Sequence, residues 1–311
     1  MARETAYQKH YSKTKSLLAQ TRRLLRQSNL RVKKGLGQHF LVDEAVLETI
    51  TSAAELTSSD VIMEIGPGLG ILTQELARQA GWVMAVELDS KLVAILEQTL
   101  NSFNNVTIIH EDVLKIDPAV LLLEQKMKLP PTINSPFSYK VVANLPYYIT
   151  SPVLRHFLEA SVKPQIMVVM VQKEVAEAIA ARPGHMSVLS ISVQFYGEPK
   201  IISYVPAHCF YPAPEVDSAI LRVDLYPQPA VAITDENSFF ELVRAGFAAS
   251  RKQIGNSLAQ GLEKPKAEVL SLLAAASIVP QRRAETLALD EWGRLWQVFT
   301  RGKHANSSGT S

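Results

Sequence analysis

Residues 60–76 read DVIMEIGPGLGILTQEL. An apolar run, Val61 to Ile65, meets three spaced glycines, Gly66, Gly68 and Gly70, and apolar residues then return at helical spacing. A strand that enters a helix through a glycine turn lets the backbone approach a ligand at the carboxyl edge of a sheet, where open α/β sheets bind. The next apolar run, WVMAVE at 82–87, ends in Glu87, 21 residues after Gly66, where an acidic side chain can accept hydrogen bonds from ribose hydroxyls. A third run, VTIIH at 106–110, leads into EDVL and brings Asp112 to the same edge.

Further strands are expected at 139–143, 165–171, 199–204 and 218–225, and helices at 71–80, 90–102, 151–160 and 173–182. This alternation predicts an α/β fold with a parallel sheet covered on both faces. Two helices precede it, one over 14–27 with basic residues between its leucines and one capped by Asp43. From Ser238 the composition turns helical, over 238–248, 252–261, 265–275 and 290–299, with 226–235 as linker. The expected organisation is a basic arm over 1–34, an α/β domain over 35–230, a helical domain over 231–300 and a disordered tail over 301–311.

Two ligand classes suit the glycine turn. A dinucleotide seats its pyrophosphate on a helix N-terminus through G-x-G-x-x-G. Here the turn is E-I-G-P-G-L-G, and Glu64 just before it is poorly suited to phosphates. S-adenosylmethionine carries a sulfonium and an ammonium that tolerate Glu64, and an adenosine for Glu87 and Asp112.

The fourth strand leaves the sheet through VVANLPYYIT, 141–150. Adenine's exocyclic amine is a poor nucleophile because its lone pair is delocalised into the ring. The Asn144 side-chain oxygen with a carbonyl at Leu145 or Pro146 can accept both N–H groups and favour a pyramidal nitrogen. Pro146 stiffens the loop, and Tyr147 offers a face for an unpaired base. Displacement at a sulfonium needs no general base, and no histidine neighbours the tetrad in sequence; His156 reads as a helix-surface residue.

The chain has 311 residues, 47% of them apolar, and no apolar run long enough for a membrane span. A soluble, cytoplasmic protein is expected, with no signal peptide and a transit peptide disfavoured. A single cysteine, Cys209, excludes an internal disulfide and a cysteine-cluster zinc site; no metal is expected. Of a net charge of +2, residues 1–34 hold ten Lys or Arg against one acid, which leaves −7 on the remainder. Such a run is either a solvated arm or an electrostatic foot for a polyanion.

KKGLGQHFLVD, EIGPGLG, VELD, EDVL, NLPYYIT, FYPAPEVDSAI and RKQIGNSL occur in the order found in ribosomal RNA adenine N6,N6-dimethyltransferases, and over about 14–299 the chain resembles the bacterial small-subunit members. The resemblance implies a Rossmann-like S-adenosylmethionine-dependent methyltransferase domain with a small all-helical C-terminal RNA-binding domain. The implied reaction dimethylates two adjacent adenines in the loop of the 3′-terminal hairpin of 16S rRNA in an immature small subunit, by a monomer. By motif, His39, Leu41, Glu64, Gly66, Gly68, Glu87, Asp112 and Asn144 would contact the cofactor, and Phe210 would stack the target base opposite Tyr147. Lys33, Lys34, Arg251, Lys252, Arg282 and Arg283 would grip RNA. The chain departs from the family at His39 and Tyr148, where asparagine is common, and in HMSVLSI after Arg182-Pro183-Gly184. The alternatives are a large-subunit methyltransferase of the macrolide-resistance type and a nucleic-acid-binding assembly or transcription factor on the same scaffold.

Overall fold

The computed structural model describes residues 16–28, 30, 38–131, 133 and 138–307. In chain order the elements begin with α1 (Leu17–Gln27), β1 (Phe40–Leu41), α2 (Glu44–Ala53), β2 (Val61–Ile65), α3 (Ile71–Gln79), β3 (Trp82–Glu87) and α4 (Ser90–Thr99). Next come β4 (Val106–His110), α5 (Pro118–Gln125), β5 (Tyr139–Asn144), α6 (Thr150–Leu158), β6 (Ile166–Gln172), α7 (Lys173–Ile179) and α8 (Val188–Tyr196). The chain closes with β7 (Gly197–Val205), β8 (Phe210–Tyr211), β9 (Ser218–Leu225), α9 (Glu236–Phe247), α10 (Ile254–Gly261), α11 (Lys266–Ala275) and α12 (Leu289–Ser307).

The main sheet runs β4-β3-β2-β5-β6-β9-β7. Strands β2 to β6 are parallel, as the alternation predicts, but β9 is antiparallel to both β6 and β7, so the sheet is mixed. The order places the site. The chain moves outward from β2 through β3 to β4, then returns to place β5 on the other side of β2, so the carboxyl ends of β2 and β5 flank a topological switch point.

Burial on both faces explains the near-continuous apolar strands. Val61, Met63, Val141, Ala143 and Val169 point into one core, and Ile62, Val83, Val142, Val168 and Met170 into the other. The first core continues into the C-terminal helices through Phe195, Phe239 and Phe240, with Phe195 and Phe239 rings stacked at 5.1 Å. Two helices escape the sequence pattern. In α5, Asp117 caps a short helix that opens on Pro118; in α8, a Ser187–Ser190 capping box starts a helix whose apolar residues show no stripe. That capping box occupies HMSVLSI, and Glu285 O accepts the N–H groups of Gly184 and Met186, which ties this segment to the helical region.

Helix α1 packs onto the α/β unit, with Leu25 and Leu30 clustered with Phe40, Leu69 and Leu92. Helix α12 runs to Ser307, past the 301 boundary expected for a disordered tail, while 308–311 lie outside the described residues. Among the described residues no helix is long and apolar enough to cross a membrane.

Candidate active site at the carboxyl edge of the sheet

A cavity of about 480 Å³ opens at the switch point. His39, Leu41, Glu64, Gly66, Gly68, Glu87, Asp112, Asn144 and Pro146 all line it. The glycine turn forms its floor. Gly66 and Gly68 have φ of +65° and +60°, a region side chains avoid, and a Cβ on Gly68 would stand 3.1 Å from the Phe40 ring. The Gly68 N–H donates to Glu87 Oε2 at 3.3 Å and the Asp89 N–H to Glu87 Oε1 at 2.9 Å. Glu87 therefore fixes the turn as well as facing the cavity. Burial pushes its carboxyl up, against these N–H groups, which favour the carboxylate.

Asp112 Oδ1 accepts the Leu114 N–H at 3.1 Å, opening a tight turn at 113–115, while the residue remains on the cavity wall. Leu88, Val113 and Leu114 line the cavity beside these two acids, an apolar slot between carboxylates that suits an adenosine. The sequence pattern assigns none of the three, although Leu88 and Val113 directly follow Glu87 and Asp112.

Glu64 is 1% exposed, and its Oε2 has no partner among the described residues. Burial pushes its carboxyl up to about 8; the nearby Thr73 hydroxyl, which itself makes no hydrogen bond among the described residues, draws it down and Glu87 raises it further. An orphaned buried carboxylate oxygen on a cavity wall fits a cationic ligand group, and with the glycine turn and the two acids the donor set suits S-adenosylmethionine. Below pH 8 such binding must expel the Glu64 proton, and above it an α-amino group loses its own. Cofactor affinity is therefore expected to peak near pH 8, and calorimetry near pH 7 in buffers of different ionisation heat should show proton release. Glu64→Gln removes the rising limb. Because the native carboxyl sits above its unfolded value, it lowers stability increasingly as pH rises from about 4.5 to 8, by about 1.4 kcal/mol per unit. Ligand-free Glu64→Gln should therefore melt higher than wild type at pH 7.5 while binding the cofactor less tightly.

Asn144 ends β5, and its Nδ2 donates to the His39 carbonyl at 3.0 Å. A carbonyl only accepts, so this bond engages the amide nitrogen and leaves Oδ1 without a hydrogen bond among the described residues, on a side chain that lines the cavity. His39 is held twice more. Its Nδ1 donates to the Pro212 carbonyl at 2.8 Å, and its ring stacks on Tyr147 with centroids 5.9 Å apart. The fold thus brings a histidine beside the tetrad that sequence adjacency does not reveal, and its Nδ1 is engaged by protein. The short β1–β8 pairing, Phe40↔Tyr211 and Leu41↔Phe210, positions this strap.

The aromatic pair expected to sandwich a base is not assembled. Phe210 is 3% exposed and packs in the core with Leu41, Leu47 and Val168, while strand alternation sends its half-buried neighbour Tyr211 to the other side, against the cluster of Leu25, Phe40 and Leu69. Tyr147 is half-buried, its hydroxyl 2.7 Å from Ser218 Oγ and one ring face toward His39. The exposed aromatic on the cavity wall is Tyr148. His156 is half-buried against Phe157, and its buried Nε2 lacks a partner among the described residues, so it is not a plain surface residue.

Of the basic candidates, Lys33 and Lys34 lie outside the described residues. Arg251, Lys252 and Arg283 are exposed. Arg282 is not available: both its terminal nitrogens meet Glu291, and it also bonds Thr286. Arg22, Arg23 and Arg26 are exposed on α1, and Arg22 lies 5.0 Å over the Tyr211 ring.

A family model described as ribosomal RNA adenine dimethylase matches residues 29–298. A Ribosomal RNA small subunit methyltransferase A of Dehalococcoides mccartyi is 52% identical over 288 residues, 92% of this chain and 95% of its own. One from Enterococcus faecalis is 41% identical over 290 residues, 92% and 96% of the two chains. Among solved structures, the 23S rRNA methyltransferase ErmE aligns with a TM-score of 0.64 at 26% identity, over 84% of this chain and 99% of its own. A dimethyladenosine transferase from Plasmodium falciparum gives 0.69 at 23% identity, over 85% and 98%, which is a likeness of fold. With a family match from the arm to the last helix, and relatives this similar along nearly their whole length, the chain belongs to the ribosomal RNA adenine dimethylase family.

Proposed function

We propose that the protein dimethylates the N6 amines of two adjacent adenines in the loop of the 3′-terminal hairpin of 16S rRNA, acting as a cytoplasmic monomer on an immature small subunit. The observation that carries this reading is the hydrogen bond from Asn144 Nδ2 to the His39 carbonyl, which engages the amide nitrogen and leaves the oxygen without a hydrogen bond among the described residues, on a residue lining the cavity of Glu64, Glu87 and Asp112. S-adenosylmethionine, when bound, supplies a methyl group open to direct displacement.

The chain's own residues then prepare the acceptor. The second acceptor beside Asn144 Oδ1 is a backbone carbonyl of the same turn, Leu145 or Pro146; the Pro146 carbonyl already accepts the Ile149 N–H at 3.1 Å and keeps one lone pair. Two acceptors fixed before substrate arrives draw both N–H bonds to one side and localise the lone pair on nitrogen. Such preorganised polar groups lose little in reorganisation at the moment of reaction. The proton leaves to water once the new bond has made the nitrogen acidic.

The relatives named for the small subunit are 41–52% identical, against 26% for ErmE, and this favours 16S over 23S rRNA. Mass spectrometry of adenines from both rRNAs, isolated from a deletion strain and treated with protein and cofactor, tests the choice. Dimethyladenine confined to the 16S hairpin loop is expected; modification of 23S rRNA alone would reverse the assignment.

The exposed basic residues carry a separate expectation. Replacing Arg251 and Lys252 together by alanine should weaken RNA binding and flatten the plot of log affinity against log salt by about 0.7–0.9 for each phosphate no longer neutralised. Arg282→Ala should instead lower the melting temperature, because it takes away both guanidinium contacts of partly buried Glu291 and leaves it only the Ala288 N–H and a 3.9 Å ion pair with Arg294. Filter binding across a salt series and thermal melts separate the two roles.

A further inference from the structure

The two tyrosines after Pro146 meet opposite fates. Tyr147 is half-buried and held at both its ring and its hydroxyl. Tyr148 is 56% exposed, lines the same cavity as Asn144, and its hydroxyl bonds no group among the described residues. Its backbone is not free to drift. Pro146, with φ −58° and ψ 128°, starts a tight turn, the Ile149 N–H closes it on the Pro146 carbonyl, and Ile149 packs against the core. An aromatic ring on a rigid turn is thus presented at a cavity mouth. With Phe210 buried, it is the aromatic that an incoming nucleic acid meets beside Asn144.

We propose that Tyr148 is a stacking platform for the nucleotide adjacent to the adenine under methylation, and so sets a preference for a purine neighbour. The proposal rests on the rRNA dimethylation reading above. Adjacent adenines in a loop stack on each other, so moving one into the cavity uncovers a face of the other. A ring at the mouth covers that face again, and a purine, with the larger π-face, gains more from it than a pyrimidine. Tyr148 touches RNA in this scheme and no reacting atom.

The test compares wild type, Tyr148→Ala and Tyr148→Phe on immature small subunits whose 16S rRNA carries either both adenines or a uridine in place of one. Tyr148→Ala should raise the RNA KM roughly 5- to 150-fold, the span of one base–aromatic stack, with cofactor Kd unchanged. Tyr148→Phe should restore the wild-type KM, and the wild-type preference for adenine over uridine as neighbour should shrink in Tyr148→Ala. Methyl transfer by Tyr148→Ala with wild-type KM and neighbour preference overturns the proposal alone. So does a cofactor Kd that weakens in step with KM, which would make Tyr148 a wall of the cofactor site, and so does a failure of Tyr148→Phe to rescue. No methyl transfer by wild type to either rRNA overturns the dimethylation reading, and this proposal with it.

Discussion

Asn144→Ala is expected to lower kcat by about 10²–10³, or about 2.7–4 kcal/mol, with the cofactor Kd changed little. The alanine keeps the strand end, since Ala143 and Leu145 are buried on either side, and removes both the amide oxygen and the Nδ2 bond to His39. In the proposed scheme ground-state binding of the donor rests on Glu64, Glu87 and Asp112, which the substitution leaves in place. The deficit therefore appears at saturating cofactor and RNA. Asn144→Asp should be no better, because a carboxylate oxygen then faces the His39 carbonyl at the position of the present 3.0 Å hydrogen bond. Single-turnover methyl transfer, with cofactor binding measured calorimetrically on the same samples, checks both variants. Wild-type turnover in Asn144→Ala would remove the acceptor role.

Glu87→Ala is expected to give the opposite signature. Its carboxylate fixes the Gly68 and Asp89 N–H groups and, in this scheme, accepts from two ribose hydroxyls. Charge-assisted hydrogen bonds contribute about 1.5–3 kcal/mol each, so removing two weakens cofactor binding by roughly a hundredfold or more. The ribose hydroxyls carry no charge that changes in the displacement, so on this scheme they are held equally in ground and transition states. KM for the cofactor should therefore rise steeply while kcat at saturation falls little. Steady-state kinetics over a wide cofactor range would show it. A fall in kcat matching that of Asn144→Ala would mean that Glu87 acts chiefly by holding the glycine turn in shape.

The site's carboxyl edge is legible in the sequence because parallel strands buried on both faces read as unbroken apolar runs, and each run ends where its chemistry begins: Gly66 after β2, Glu87 on β3, Asn144 on β5. The direction of β9 is not legible, since an apolar strand reads alike in either direction. Helix α8 hides for a related reason: a helix with no exposed face has no polar stripe to mark its period. Strands β1 and β8 have two residues each, too few for any alternation, yet their pairing sets His39 against Pro212 and buries Phe210. Adjacent aromatics pose the same difficulty twice. In Phe210-Tyr211 and Tyr147-Tyr148 one ring is buried more deeply than its neighbour, and the motif alone does not say which. Arg282 reads as free charge in the sequence because its partner, Glu291, lies on another element and meets it only in the folded chain.

A crystal structure with S-adenosylhomocysteine, the spent form of the donor, bears on all of this at once. The expected result is the ribose hydroxyls on the Glu87 carboxylate, the ammonium on Glu64 Oε2, and Asn144 Nδ2 still on the His39 carbonyl with Oδ1 turned toward the sulfur. A ligand bound away from the carboxyl ends of β2 and β5, or an Asn144 amide rotated so that its oxygen leaves the cavity, would contradict it.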